Sequence, residues 1–195
     1  MPTQAERSSA TRERIVAAAE QLFATKGWAS TSVEEIAQRA GVTKGALYHH
    51  FEDKLALMRA AYEHQEEMMA ETLVAKSAGQ PDPLAMLRAG CHAFFDACRD
   101  PAFRRIALVE APAALGWEEW RAIDARHGFG LLRVGVEAAV AAGQLRPLPV
   151  DQIAHLLLAA MMETALLLGQ STDTERTADD LAATFDALLD GLATQ

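Results

Sequence analysis

The chain has 195 residues, half of them hydrophobic and 23% charged, a composition that supports a sizeable folded core and excludes a disordered or fibrous chain. Its formal net charge is −9, so the chain as a whole repels DNA and anionic surfaces. The longest apolar run, 156–162, ends at Glu163, well short of the roughly eighteen residues that a membrane span needs, and no membrane partner is expected.

The N-terminal stretch MPTQAERSSATRER is polar and lacks the apolar core of a secretory signal, so the expected location is the cytoplasm. Residues 1–10 are expected to be loose. From Thr11 a helix is predicted by Ile15, Ala19, Leu22 and Phe23, which recur at helical spacing up to Gly27. The stretch TSVEEIAQRAGVTKGALYHHF, 31–51, then gives two short helical patterns joined by a glycine. Ser32 followed by Glu35 fits a capping box, which starts the second helix near Val33. Gly41 stands where the chain turns, Val42 can plug the corner, and Thr43 can cap a third helix whose Leu47 and Phe51 face inward. This is a helix-turn-helix pattern, in which the second helix of the pair enters the DNA major groove. Thr43, Lys44, Gly45, Tyr48 and His49 are left facing outward, and Lys54 opens the fourth helix. These are side chains and helix N-termini suited to phosphates and base edges. Any helix–glycine–helix corner in an all-α protein produces a similar short pattern, so the motif alone leaves both readings open.

Charge divides along the same line. Residues 1–54 hold seven Lys/Arg and seven Asp/Glu and are neutral overall, so the whole acidic excess lies in the remainder. Exposed charges farther apart than a Debye length, about 8 Å at physiological salt, are largely screened. An acidic chain can therefore still present a local DNA-binding surface.

The rest of the sequence is helical in period with almost no strand-like alternation. A long helix is predicted over Lys54–Lys76, a Gly/Pro connector over 77–83, and helices over 84–99 and 102–110. A break follows at 112–116, then one long helix over Trp117–Ala142, a proline turn at 147–149, and two apolar helices over 151–168 and 178–192. The fold class is all-α with about nine helices. Gly128, Gly130 and Gly135 interrupt the long seventh helix, each at about 1 kcal/mol relative to Ala; close helix crossing or an opening beside a cavity would offset that. Cys91 and Cys98 lie seven residues apart, about 10.5 Å along a helix. That is too far for a disulfide, so they read as buried thiols, with a redox sensor as the alternative. Arg104 and Arg105 read as partners of nearby acids, and His64 with Glu67 as a solvated face. His92 and His155 read as satisfied histidines on apolar helices. Asp124, His127 and Glu163 form the one set suggestive of metal ligation, against a solvated Asp–His pair and a separate paired Glu. No P-loop, G-x-S-x-G or C-x-x-C occurs. No catalytic residue, metal ligand or cofactor is expected.

From Thr11 to Leu57 the stretch TRERIVAAAEQLFATKGWASTSVEEIAQRAGVTKGALYHHFEDKLAL resembles the N-terminal domain of the TetR/AcrR family of transcriptional regulators. It carries the A-x-x-L-F and following Gly, the T-[ST]-V-x-[ED]-I-A, the A-G-V-[ST]-[KR]-G-x-[LI]-Y-x-H-F and the K-x-x-L without a gap. His49 occupies a place where the family varies. The later segment IALVEAPAALGWEEWRAIDARHG also resembles the C-terminal domain of one TetR subgroup.

The resemblance implies a three-helix DNA-binding domain over 1–54, with the helix-turn-helix at about 32–51, and an effector-binding and dimerisation domain over 55–195. It implies DNA contacts from Thr31, Ser32, Thr43, Lys44, Gly45, Tyr48, His49 and Lys54. The implied partners are a palindromic double-stranded operator, a small-molecule effector that releases the DNA, and a second copy of the chain. The apolar last two helices are expected to join the two copies. In the family the effector pocket lies among the fourth to eighth helices. Candidate lining residues are Met58, Tyr62, Met69, His92, Phe95, Trp117, Trp120, His127, Met162 and Glu163, with Phe94, Phe103 and Met161 beside them. They suggest a mostly hydrophobic effector. The competing readings are an all-α metal-dependent enzyme built on Asp124, His127 and Glu163, and a DNA-binding protein with no effector.

Overall fold

A computed structural model describes residues 3–194, and Met1 and Pro2, at the start of the expected loose segment, lie outside them. Helices α1 (Gln4–Lys26), α2 (Val33–Ala40), α3 (Lys44–His50), α4 (Lys54–Ser77), α5 (Pro83–Ala97) and α6 (Pro101–Arg104) lead to a π-helical turn, Arg105–Glu110. Then come α7 (Ala111–Leu115), α8 (Trp117–Arg126), α9 (Gly128–Ala141), α10 (Val150–Gln170) and α11 (Thr174–Leu192). The only extended pairing among the described residues is an isolated bridge between Leu145 and Ala193. The chain is all-α, as its periodicity predicts.

Four elements differ from the sequence reading. α1 starts at Gln4, not Thr11, because Thr3 and Glu6 form a capping box ahead of it. The segment 112–116 is helical up to Gly116: Pro112 sits in the first turn of α7, where a missing N–H does no harm. The predicted helix over Trp117–Ala142 breaks at His127, whose φ and ψ are −122° and −99°. There the Asp124 carboxylate accepts from the Phe129 amide at 3.2 Å and starts a new helix. α11 begins at Thr174, capped by Asp173, ahead of the predicted start at Ala178.

Contacts divide the chain into two compact units, residues 1–65 with 105–120, and 66–104 with 121–195. In the first, Ile15, Ala19, Phe23, Ile36, Leu47, Phe51, Leu57 and Met58 form the core. Gly41 takes the left-handed conformation that ends α2, and Val42 N–H returns to the Ala37 carbonyl at 3.0 Å. In the second, α5, α9, α10 and α11 bury a cluster that includes Leu87, Phe95, Val136, Leu157, Phe185 and Leu189. Arg88 and His92 of α5 both pair with Asp186 of α11, and Arg99 pairs with Asp179 and Glu175. α10 is the one described helix long and apolar enough to cross a membrane by length and composition. Its stripe Ile153, Ala154, Leu157, Met161, Ala165 and Leu168 is buried.

Gly27 ends α1 at φ 86° and ψ 157°, and a Cβ there would lie 2.7 Å from Glu110 Oε1 and 2.8 Å from an Arg105 guanidinium nitrogen. Gly41, at φ 66°, meets no atom within 4 Å. Gly41→Ala is therefore expected to lose about 1–2 kcal/mol for backbone handedness alone. Gly27→Ala should lose more, because it also displaces two bonded side chains. Thermal unfolding of the two variants, at about 2–4 °C per kcal/mol, should rank Gly27→Ala as the less stable.

Candidate nucleic-acid interface and ligand cavity

The surface formed by α2 and α3 follows from its caps. Ser32 Oγ accepts from the Glu35 amide at 3.2 Å, and Glu35 Oε2 accepts from the Ser32 amide at 2.9 Å. Lys26, with the Ser32 groups, holds the Glu35 carboxyl down to about 2. Thr43 Oγ1 accepts from the Ala46 amide at 3.1 Å and fixes the start of α3. Leu47 and Phe51 are buried, so the opposite face of α3 carries Lys44, Gly45, Tyr48 and His49 outward, with Tyr48 45% exposed. Lys44 pairs with Glu34 of α2, which lowers the Glu34 carboxyl, and its ammonium lies 5.8 Å from the Tyr48 ring centroid. A Cβ on Gly45 would touch no protein atom. An ammonium, an aromatic hydroxyl and an imidazole thus share one exposed strip with no bulk at Gly45.

Two of the expected contacts sit differently. Thr31 is only 2% exposed, and its hydroxyl donates to the Gly27 carbonyl at 2.8 Å. It belongs to the turn, because that carbonyl needs a donor once α1 has ended. Lys54 donates to the carbonyls of Trp28 and Thr31 at 2.9 and 3.1 Å, with its ammonium 4.3 Å from the Trp28 ring centroid. It ties the α1–α2 turn to α4 with two of its three N–H groups.

The second unit contains a cavity of about 330 Å³. Its walls are Met69, Leu73, Leu87, Cys91, Phe94, Phe103, Leu132, Leu158 and Met161 among other apolar residues, with Glu66, Asp124 and Ser77 as the polar ones. Gly128 and Gly135 line it too, and a Cβ on Gly135 would come 3.1 Å from Leu87. Gly135 therefore serves both purposes suggested for it, a close α5–α9 crossing and an open wall. Cys91 and Cys98 are buried and unpaired, and burial pushes both thiols up to about 12, so neither is a reactive thiolate near neutrality.

The profile described as "Bacterial regulatory proteins, tetR family" matches residues 15–61, and "Tetracyclin repressor-like, C-terminal domain" matches 84–192. The chain belongs to the TetR family. The Transposon Tn10 TetC protein of Escherichia coli is 28% identical over 163 residues, 84% of this chain and 82% of its own length. The HTH-type transcriptional regulator AcrR of Shigella flexneri is 44% identical over 79 residues, but that match spans 40% of this chain and only 37% of AcrR. A TetR-family transcriptional regulator from Pectobacterium atrosepticum superposes with TM-score 0.81 and 28% identity, over 100% of this chain and 99% of that one. The protein is accordingly a DNA-binding transcriptional regulator of the TetR type.

Of the ten residues expected to line the effector pocket of this TetR-family chain, the cavity takes Met69, and of the three named beside them it takes all: Phe94, Phe103 and Met161. Met58 and Tyr62 are core residues of the first unit, where Tyr62 stacks 6.5 Å from Trp120. Trp120 donates to the Ala107 carbonyl at 2.9 Å, and Trp117, 66% exposed, lies against it. His92 is turned to Asp186 and Phe95 to Phe185. His127 borders a separate shallow groove, while Met162 and the exposed Glu163 lie outside the walls. Helical spacing identifies which residues share a face but not which neighbour that face meets, so core and cavity residues look alike. Among the described residues no three His, Cys, Asp or Glu side chains gather as a metal site. The Asp124–His127–Glu163 set of the enzyme reading is not assembled. His155 is exposed and stacked 4.6 Å from Phe129, not a core histidine.

Arg105 pairs with a nearby acid, Glu110, as expected; what spacing did not show is that this pair meets the end of α1. Arg105 donates to the Ala24 and Thr25 carbonyls at 3.0 and 2.9 Å. Glu110 accepts from the Trp28 amide at 2.9 Å and from Arg105 at 3.1 Å.

These partners set apart the two lysines of the interface. Lys44→Ala removes an exposed ion pair and is expected to change stability by less than about 0.5 kcal/mol. Lys54→Ala removes two hydrogen bonds and a cation–π contact and should lose about 2 kcal/mol. Urea denaturation of both variants checks the difference.

Proposed function

We propose that this TetR-family regulator is a homodimeric repressor. Its residues 1–54 bind a palindromic operator, and its residues 55–195 bind a small hydrophobic effector that releases the DNA. The observation that carries the effector part is the cavity of about 330 Å³ walled almost wholly by apolar side chains, at the lower end of the range for small-molecule sites. Met69, Met86 and Met161 in its wall suit it to ligands of more than one shape. Release requires the effector to favour the DNA-incompetent state; a 100-fold preference corresponds to about 2.7 kcal/mol.

The proposed dimer surface is the outer side of α10 and α11. Leu156 is 72% exposed, Leu188 48%, Leu167 43% and Leu166 38%. Four large aliphatic side chains on neighbouring helices are far more apolar than a lone exposed leucine, and a copy related by a two-fold axis would cover them. Two recognition helices held at a multiple of about 34–36 Å then read a palindrome. In each, Lys44, Gly45, Tyr48 and His49 face the groove. Thr43, Ser32 and the third N–H of Lys54 serve the phosphates.

An operator selected from random duplex DNA tests the reading. Compounds that raise the melting temperature of the protein are expected to release a labelled operator over the same concentration range. Stabilising compounds that leave the operator bound would make this a DNA-binding protein without an effector.

Tyr48→Ala, Lys44→Ala and Gly45→Ala are each expected to weaken operator binding while the far-ultraviolet circular dichroism stays unchanged. Lys44→Ala should also reduce the slope of log affinity against log salt by about one unit. Wild-type affinity in Tyr48→Ala would remove α3 from the groove.

Sedimentation at micromolar concentration is expected to give a dimer. Leu156→Asp together with Leu188→Asp should give a folded monomer with lower operator affinity.

A further inference from the structure

The cations of residues 1–54 are Arg7, Arg12, Arg14, Lys26, Arg39, Lys44 and Lys54. Lys26 is engaged by Glu35, Lys44 by Glu34, Arg39 by Gln21 and Lys54 by two carbonyls. Among the described residues, Arg7, Arg12 and Arg14 have neither an ion pair nor a side-chain hydrogen bond. All of them stand on the N-terminal turns of α1.

Those turns add nothing to the core. Every residue from Thr3 to Arg14 is exposed except the half-buried Thr11, and the first buried side chain is Ile15. Tertiary burial supplies most helix stability in proteins, and these turns go without it. They are held by local bonds: the Thr3–Glu6 capping box, the Ser9 hydroxyl on Glu13 at 3.0 Å and the Thr11 hydroxyl on the Arg7 carbonyl at 2.8 Å. Arg7 stands about one turn from the positive end of the helix dipole, where a cation is unfavourable. The helix N-terminus is already occupied by Glu6, so an external anion would be held by the arginines.

The charged side chains are sorted by sign. Residues seven apart return to within about 20° on an α-helix and lie about 10.5 Å apart along it. Arg7 and Arg14 therefore share one strip, and Glu6 and Glu13 share another, about 100° away. Along one strand of a duplex, at about 3.4 Å of axis each, about three phosphates fall within that distance. Arg12 fixes what lies beside these turns. It continues the buried line of Val16, Ala19 and Phe23, and its guanidinium lies 5.3 Å from the ring centroid of Phe51, the residue that ends α3. α1 thus leaves the core next to the C-terminal end of α3, and its first turns continue beyond that point.

We propose that the N-terminal turns of α1 form a second, sequence-independent contact with the operator, in which Arg7 and Arg14 hold phosphates beside the groove that α3 enters. The surface is basic and unpartnered in a chain of net charge −9, and it adjoins the DNA-binding helix. This rests on the reading of α3 as the groove helix.

The test uses the full-length chain with two probes, the selected operator and a random duplex of the same length. Arg7→Ala together with Arg14→Ala is expected to lower the slope of log affinity against log salt by about two units on both duplexes. Between about 50 and 200 mM salt, the affinity gap between wild type and variant should narrow about tenfold. The preference for the operator over the random duplex should not change. Arg7→Lys together with Arg14→Lys keeps both charges and should restore the slope. The melting temperature should stay at the wild-type value, because neither side chain has a bonded partner. A wild-type salt slope in the folded alanine variant overturns the proposal. An affinity loss confined to the operator overturns it as well, because it would make these arginines readers of bases. Tyr48→Ala separates the two readings. If it weakens operator binding while the arginine variant keeps its slope, only the α1 contact falls; if it binds at wild-type affinity and the slope is also unchanged, both fall.

Discussion

The C-terminal end of α1 is where the first unit is held. A helix that stops leaves its last carbonyls without partners and turns the chain away. Here Arg105 donates to two of those carbonyls, those of Ala24 and Thr25, and Lys54 and Thr31 donate to the carbonyls of the turn that follows. Glu110 accepts from the Trp28 amide. Gly27 leaves room for Glu110 and Arg105, because a Cβ there would lie 2.7 and 2.8 Å from them. The turn fixed this way leads directly into Ser32 and α2, so the direction of the helix-turn-helix depends on it.

The π-helical turn at Arg105–Glu110 is the counterpart of that arrangement. In an α-helix, residues five apart point roughly 140° away from each other around the axis. In a π-turn, whose hydrogen bonds run i to i+5, they stack. Arg105 and Glu110 pair at 3.1 Å and together meet the end of α1. A wider helix is less favourable, and it persists here because it brings a donor and an acceptor to the same few backbone groups.

The net charge of −9 and a DNA-binding surface are compatible because electrostatics at a contact is local. Residues 1–54 carry no net charge. Several of their cations are engaged within the protein: Lys26 by Glu35, Lys44 by Glu34, and Lys54 by two carbonyls. Exposed pairs such as Lys44 and Glu34 are worth little, so a phosphate can take the lysine at small cost. The cavity of the second unit holds two buried carboxylates, Glu66 and Asp124, among apolar side chains, and Asp124 is kept there by its ion pair with Arg121.

The sequence by itself determined the all-α class, the two caps of the helix-turn-helix, the turn glycine and the outward strip of α3. Each of these depends on residues within one or two helical turns of each other, where spacing and geometry are the same thing. It also carried the family, through a motif of many fixed positions. Tertiary structure alone decided which apolar residues line the cavity and which fill a core, because Tyr62, Trp120 and Phe95 have the same helical spacing as Met69, Phe94 and Phe103. It decided that Thr31 faces inward, that His127 breaks a helix, and that Glu66 and Asp124, 58 positions apart in the chain, share one corner. The partners that settle those questions lie dozens of residues away, and no local pattern specifies which of two chemically similar side chains will meet them.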